Sequence, residues 1–224
     1  MVKKIVGTGV LLVLALALQA GVKMYTLKSP DGKVKLEVTA GQGIAYSLFY
    51  DGRLLLKPSR IALHTDLPEA DHWENIRITG TKQRHVSETV QAPFYRVKEF
   101  GIDCNELELR LNNGFSLLMR AYNDGMAYRF VAGRKGEMTV VEERAEFNFA
   151  DDFEAYIPYS TNPKDPWNMA FQNFYTKAPL TQYNTELPAF LPLTVDAGAV
   201  KLTLLESDLE AYPGMFVCGE KRRL

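Results

Sequence analysis

The chain has 224 residues, of which 46% are hydrophobic and 24% charged, enough apolar material for one large core and too much for a disordered chain. Its formal net charge is -1 and its one basic run is Lys221-Arg222-Arg223, which sets nucleic acid aside as a partner. The two cysteines, Cys104 and Cys218, have no second Cys or His at ligand spacing, so neither a zinc site nor a thiol nucleophile is indicated and free or buried thiols are expected.

Residues 1–20 read as a secretory signal peptide: Lys3 and Lys4 form a basic start, Val10 to Leu18 an apolar run, and Ala20 precedes Gly21 at the cleavage point. The apolar run is short for a transmembrane helix, so no stable membrane span is expected and the product is exported, in the periplasm. A buried N-terminal helix or an uncleaved anchor is the alternative. Residues 21–224 then form a single domain.

From Tyr25 onward the pattern has period two, broken by turn pairs, as in a meander of antiparallel strands. Ser29-Pro30-Asp31-Gly32 is a turn, Val34 to Val38 and Ile44 to Tyr50 alternate, and Asp51-Gly52 is a hairpin signal before Arg53 to Leu56. Lys57-Pro58-Ser59 is expected to break that strand before a short one at Ile61 to Leu63. Asp66 to Gln91 is polar and reads as a long loop holding one strand near Asn75 to Gly80. Strands are expected again at Tyr95 to Phe100, Glu106 to Leu111 and Phe115 to Arg120, the last two joined at Asn112-Asn113-Gly114.

Asn123 and Asp124, with Gly125, make a turn between two aromatic-rich arms. They are candidates for ligand contact, although side chains of this kind more often cap turns. Tyr159 to Ala170 is an exposed loop around Trp167, which with Phe171, Phe174, Tyr175 and Tyr183 forms either a platform for sugar rings or a cover for the core. The acid pairs Glu142-Glu143 and Asp151-Asp152 read as turn or surface charge, since neighbours on a strand face opposite ways. Near the end an apolar run, Val200, Leu202 and Leu204, delivers Glu206 and Asp208 to a sheet rim before Tyr212-Pro213-Gly214. Roughly a dozen strands, without repeats, imply an all-β class with two stacked antiparallel sheets. Met215 to Cys218 begins a strand that nothing follows, so the chain is expected to be truncated or the first piece of something longer.

Four stretches together resemble the N-terminal domain of glycoside hydrolase family 97, the calcium-dependent α-glucosidases and α-galactosidases: Leu27 to Gly32, Arg120 to Arg129, Phe174 to Leu180, and Glu206 to Met215. The resemblance implies an antiparallel β-super-sandwich, galactose-mutarotase-like and short of its last strands, that serves a (β/α)₈ barrel carrying the catalytic carboxylates. It implies that the sandwich lends a Glu to a calcium site beside the bound sugar. That role falls on Glu206, with Glu186 a second candidate, while Asp208 caps the following turn. Calcium takes six to eight oxygen ligands, so one carboxylate is one member of a shared shell. No catalytic residue is expected in this chain, and its partners are an α-glucoside or α-galactoside oligosaccharide and the catalytic barrel. The alternatives are a free-standing carbohydrate-binding module using Trp167 or a structural domain that docks a separate barrel.

Overall fold

The computed structural model describes residues 23–162, 164–168, 172–209 and 212–219. The signal-peptide expectation for residues 1–20 lies outside these. The described residues form thirteen strands and one 3-10 turn, with no α-helix, and every ladder among the named strands is antiparallel. They divide into two compact units, one of residues 23–52 and 60–145 and one of residues 53–59 and from 146 onward.

The first unit is a sandwich. One sheet has the order β1-β2-β3-β4-β9, formed by Lys23–Lys28, Val34–Gly41, Gly43–Tyr50, Arg53–Thr65 and Val140–Ala145. The other has the order β5-β6-β7-β8, formed by Ile78–Gln91, Glu99–Leu111, Phe115–Tyr122 and Gly125–Ala132. Period-two alternation is strict where one face is buried: β2 and β7 alternate buried and half-buried side chains along their whole length. Leu36, Val38, Ile44 and Tyr46 from one sheet and Leu107, Leu109, Leu117 and Met119 from the other make the core. Side chains also tie the sheets, as Asn105 donates to the Lys28 carbonyl at 2.9 Å and Gln83 to the Thr26 carbonyl at 3.1 Å. The Asp51-Gly52 hairpin is as the sequence indicates, with φ of 48° and 79°, the left-handed pair such a turn requires.

Three elements differ from expectation. Strand β4 does not break at Lys57-Pro58-Ser59 but runs through it from Arg53 to Thr65. Pro58 has no N–H to donate, and Asn148 takes over the pairing: its carbonyl accepts from Lys57 N–H at 2.7 Å and its N–H donates to Ser59 Oγ at 2.9 Å. Residues Ile78–Gln91, expected to be loop beyond Gly80, form a fourteen-residue strand. It is the edge of its sheet and buries only Val86, so no alternation marks it. The expected strand from Tyr95 begins instead at Glu99, because Ala92 to Lys98 is the hairpin loop, closed by Ala92 N–H donating to the Lys98 carbonyl.

The second unit holds the sheet β11-β10-β12-β13, from Thr176–Pro179, Glu154–Ile157, Leu193–Asp196 and Lys201–Leu204. Its core gathers Leu55, Phe149, Ala155, Ile157, Leu180, Leu193 and Val195. Three sheets therefore replace the two expected, though the all-β, antiparallel, unclosed class stands. Both cysteines are free thiols, Cys104 buried and Cys218 exposed, and burial pushes the Cys104 thiol up.

Candidate functional site

The rim of the second unit gathers an acid and aromatic rings. After β13 the chain leaves the sheet at Leu204, and Glu206 is half-buried. Its Oε1 accepts the backbone N–H of Met215 at 2.6 Å, so one carboxylate oxygen closes the loop from 206 to 215. The loop needs two local accommodations. Asp208 sits at a φ of 64°, a left-handed position that Asp tolerates. A Cβ on Gly214 would lie 3.4 Å from Glu206 Oε1, so glycine leaves the carboxylate its space. Among the described residues Glu206 Oε2 accepts no hydrogen bond.

Past the clamp, Val217 and Ala189 exchange two hydrogen bonds of 2.8 Å, and the Tyr183 hydroxyl donates to the Val217 carbonyl at 2.8 Å. Burial pushes the Tyr183 hydroxyl far up, which keeps it a neutral donor. The anchored segment puts the Phe216 ring edge-on to Trp167, centroids 4.9 Å apart at 90°. Trp167 is nevertheless 58% exposed, on a loop held by Ser160 Oγ donating to the Pro166 carbonyl at 2.7 Å. The aromatic group read from the sequence therefore divides: Tyr183 is core, Trp167, Phe174 and Tyr175 are exposed, and Phe171 lies outside the described residues.

Glu186 is exposed in the loop just before Ala189, its own N–H donating to Asn184 Oδ1 at 3.0 Å. It thus stands three residues before Ala189, whose isolated bridge to Val217 is all that forms of the strand expected at Met215 to Cys218, while Glu206 holds Met215 two residues before that bridge. Asp152 ties down the 3-10 turn Leu180–Gln182, accepting from Thr181 N–H at 2.9 Å and from the Thr181 hydroxyl at 2.7 Å. Asn123 and Asp124 belong to the other unit. Asn123 Oδ1 accepts the Asp31 N–H at 3.0 Å, which locks the β7–β8 turn to the Ser29–Gly32 turn. In that second turn Asp31 is held below the usual carboxylate range by the Ser29 hydroxyl and the Lys33 N–H.

Among the described residues no group of three or more His, Cys, Asp or Glu could hold a metal ion. The donor set fits a hard cation only as one contributor: Glu206 offers a fixed carboxylate with one oxygen in hand. Sequence reasoning did not single out Phe216, Met215 or the buried Glu106. Met215 is nine residues from Glu206 in a segment without period, and no pattern pairs them.

Residues 27–223 match the family described as Glycosyl-hydrolase 97 N-terminal. A retaining alpha-galactosidase of Bacteroides thetaiotaomicron is 40% identical over 213 residues, covering 92% of this chain and 32% of that protein. A probable retaining alpha-galactosidase of Streptomyces bingchenggensis is 26% identical over 158 residues, 69% of this chain and 24% of that protein. Among solved structures, a glycoside hydrolase family 97 enzyme from Pseudoalteromonas sp. strain K8 in complex with panose superposes with a TM-score of 0.73 at 18% identity, over 88% of this chain and 30% of that one. A beta-arabinopyranosidase superposes with a TM-score of 0.62 at 22% identity, over 79% of this chain and 31% of that one. The chain spans no more than about a third of the curated relatives it matches.

Proposed function

The chain belongs to the family of glycosyl-hydrolase 97 N-terminal domains, and on that premise we propose that it is the non-catalytic sandwich domain of an exported α-glycosidase, lending Glu206 to a calcium and sugar site completed by a catalytic domain. The observation that carries this reading is the Glu206 clamp. One oxygen is spent on Met215 N–H, which fixes the carboxylate, and the other points to no partner among the described residues. A rim acid kept for solubility needs no such anchor, because a surface carboxylate gains little from one fixed position.

In the shared site Glu206 supplies one hard oxygen ligand. The calcium ion, when bound, supplies positive charge that orients sugar hydroxyls. Trp167 and Phe216 offer an apolar edge to the pyranose faces of an α-galactoside or α-glucoside, and Glu186 is the second acid of the same rim. The acid and base that cleave the glycosidic bond belong to the partner domain. Residues 1–20 direct export, and no helix among the described residues is long and apolar enough to cross a membrane.

The test replaces the corresponding N-terminal third of the 40% identical α-galactosidase by this chain. Glu206→Gln keeps an acceptor for Met215 N–H and removes the charge. It is expected to raise the calcium concentration needed for half-maximal turnover by about tenfold or more, as loss of one charged ligand requires. An unchanged calcium dependence would reject the proposal. A free-standing carbohydrate-binding module is the second reading, favoured by the 58% exposure of Trp167 and the full exposure of Phe174. Saturable quenching of Trp fluorescence by maltooligosaccharides in the chain alone would support it.

A further inference from the structure

The ribbon at the edge of the first unit changes which face is apolar part-way along its length. Over the inner half of β6, Leu107, Leu109 and Leu111 face the sandwich core and are buried, and Met119 and Leu117 of β7 stand opposite the first two. Beyond them the same face turns polar. His85 stands opposite Asn105, Ser87 opposite Asp103, and Gln91 opposite Glu99, with His85 Nε2 3.0 Å from Asp103. The outer face does the reverse. Lys82 pairs with Glu108 and Arg84 with Glu106, and then come Val86 with Cys104, Glu88 with Ile102, and Val90 with Phe100.

Strand β7 ends at Tyr122, opposite Cys104, so among the described residues the five pairs from Ser87–Asp103 to Gln91–Glu99 have no third strand. Five residues of strand extend about 17 Å. The apolar side of this arm is exposed, Val90 at 42% and Phe100 at 44%, and so are Tyr95 (69%) and Phe94 (98%) in its tip loop. It points away from the unit's own core, so tighter closure of that sandwich would not cover it. A two-stranded ribbon is marginal in water, and an uncovered apolar face marks an interaction surface. At its base the outer face has what interface centres favour, Tyr122 and two arginines. Arg84 and Arg120 flank Glu106 at 2.6 and 2.8 Å, so the guanidinium groups are already fixed.

We infer that the outer face of this arm is a permanent docking surface for the catalytic portion of a family 97 glycoside hydrolase, with Val90, Phe100 and the tip residues Phe94 and Tyr95 as its apolar anchors. The occupant follows from two observations. An arm of two strands needs lasting cover to stay ordered, which fits a permanent partner better than a passing one. The curated relatives that share this chain's sequence carry about two-thirds or more of their length outside it, so in them such a partner is always present. The inference rests on the reading of this chain as a domain serving a catalytic one. It is independent of calcium.

The separately expressed remainder of the 40% identical α-galactosidase serves as the probe. Hydrogen exchange of residues 87–103 is measured in the full chain with and without it, and affinity by calorimetry. The expected result is slowed exchange across the arm and its base, and an affinity lowered by about tenfold or more in Val90→Ser/Phe100→Ser at an unchanged melting temperature. Glu206→Gln keeps the arm's protection, so failure of the calcium reading and failure of this one are distinguishable. Absence of a complex, a complex with unprotected arm amides, or an affinity indifferent to the double variant overturns the proposal. Concentration-dependent dimerisation of the chain that the double variant abolishes also overturns it, in favour of a second copy as occupant.

Discussion

Glu206 and Glu106 are both acids held by hydrogen bonds, and the holding differs in kind. Glu206 accepts one backbone N–H and keeps an oxygen in hand, whereas Glu106 is buried with both oxygens taken by Arg84 and Arg120. For Glu206, Ala removes the clamp and Gln retains it. Glu206→Ala is therefore expected to cost about 1 to 2 kcal/mol in urea unfolding and Glu206→Gln much less. Glu106→Ala leaves two arginines unanswered and is expected to cost about 2 to 3 kcal/mol at neutral pH. Burial works to raise the Glu106 carboxyl, but the guanidinium hydrogen bonds and charges override it and hold it below its ordinary value of 4.5. A depressed carboxylate stabilises above its unfolded value and loses that contribution as pH falls through the folded one. Wild type should therefore lose more stability than Glu106→Gln as pH drops below about 4.5, read as the urea midpoint at each pH. The acid at 206 was legible in the sequence because an apolar run delivers it to a turn. Its partner and the whole Glu106 triad were not, since cross-strand neighbours are set by register and register is not printed in a single strand.

At the scale of elements, legibility followed burial. Strands with one buried face, β2 and β7 throughout and β3 over its first half, alternate and are legible with nearly correct bounds. Strand β5 has almost nothing buried, and β4 contains a proline whose missing donor is covered by Asn148, ninety positions away from Pro58. No local pattern carries either fact. The turn at Asn123 was read as structural or ligand-binding, and its bond to Asp31 N–H gives the structural part a measurable size. Asn123→Ala is expected to lower stability by about 1 kcal/mol, seen as a melting temperature a few degrees lower. Asn123→Asp, which keeps an acceptor oxygen, should recover most of that loss.

For the whole molecule, family and class were legible because four separated stretches agree in order and spacing, and the match over residues 27–223 bears out the resemblance. The division into two compact units was not, because β4 gives residues 53–59 to one and the rest to the other within an unbroken strand. Under the proposed function the chain alone should show no calcium-dependent turnover of chromogenic α-glucosides or α-galactosides. Turnover lost in Glu206→Ala would contradict the proposal, since it would place chemistry within this domain. The central claim, that Glu206 is a ligand in a shared site, is tested most directly by calorimetric titration of calcium into the chimera of this chain with the α-galactosidase remainder. The account predicts a dissociation constant weaker by about tenfold or more in Glu206→Gln, with Met215 still clamped and the melting temperature without calcium unchanged. Equal calcium affinity in the two proteins would contradict it.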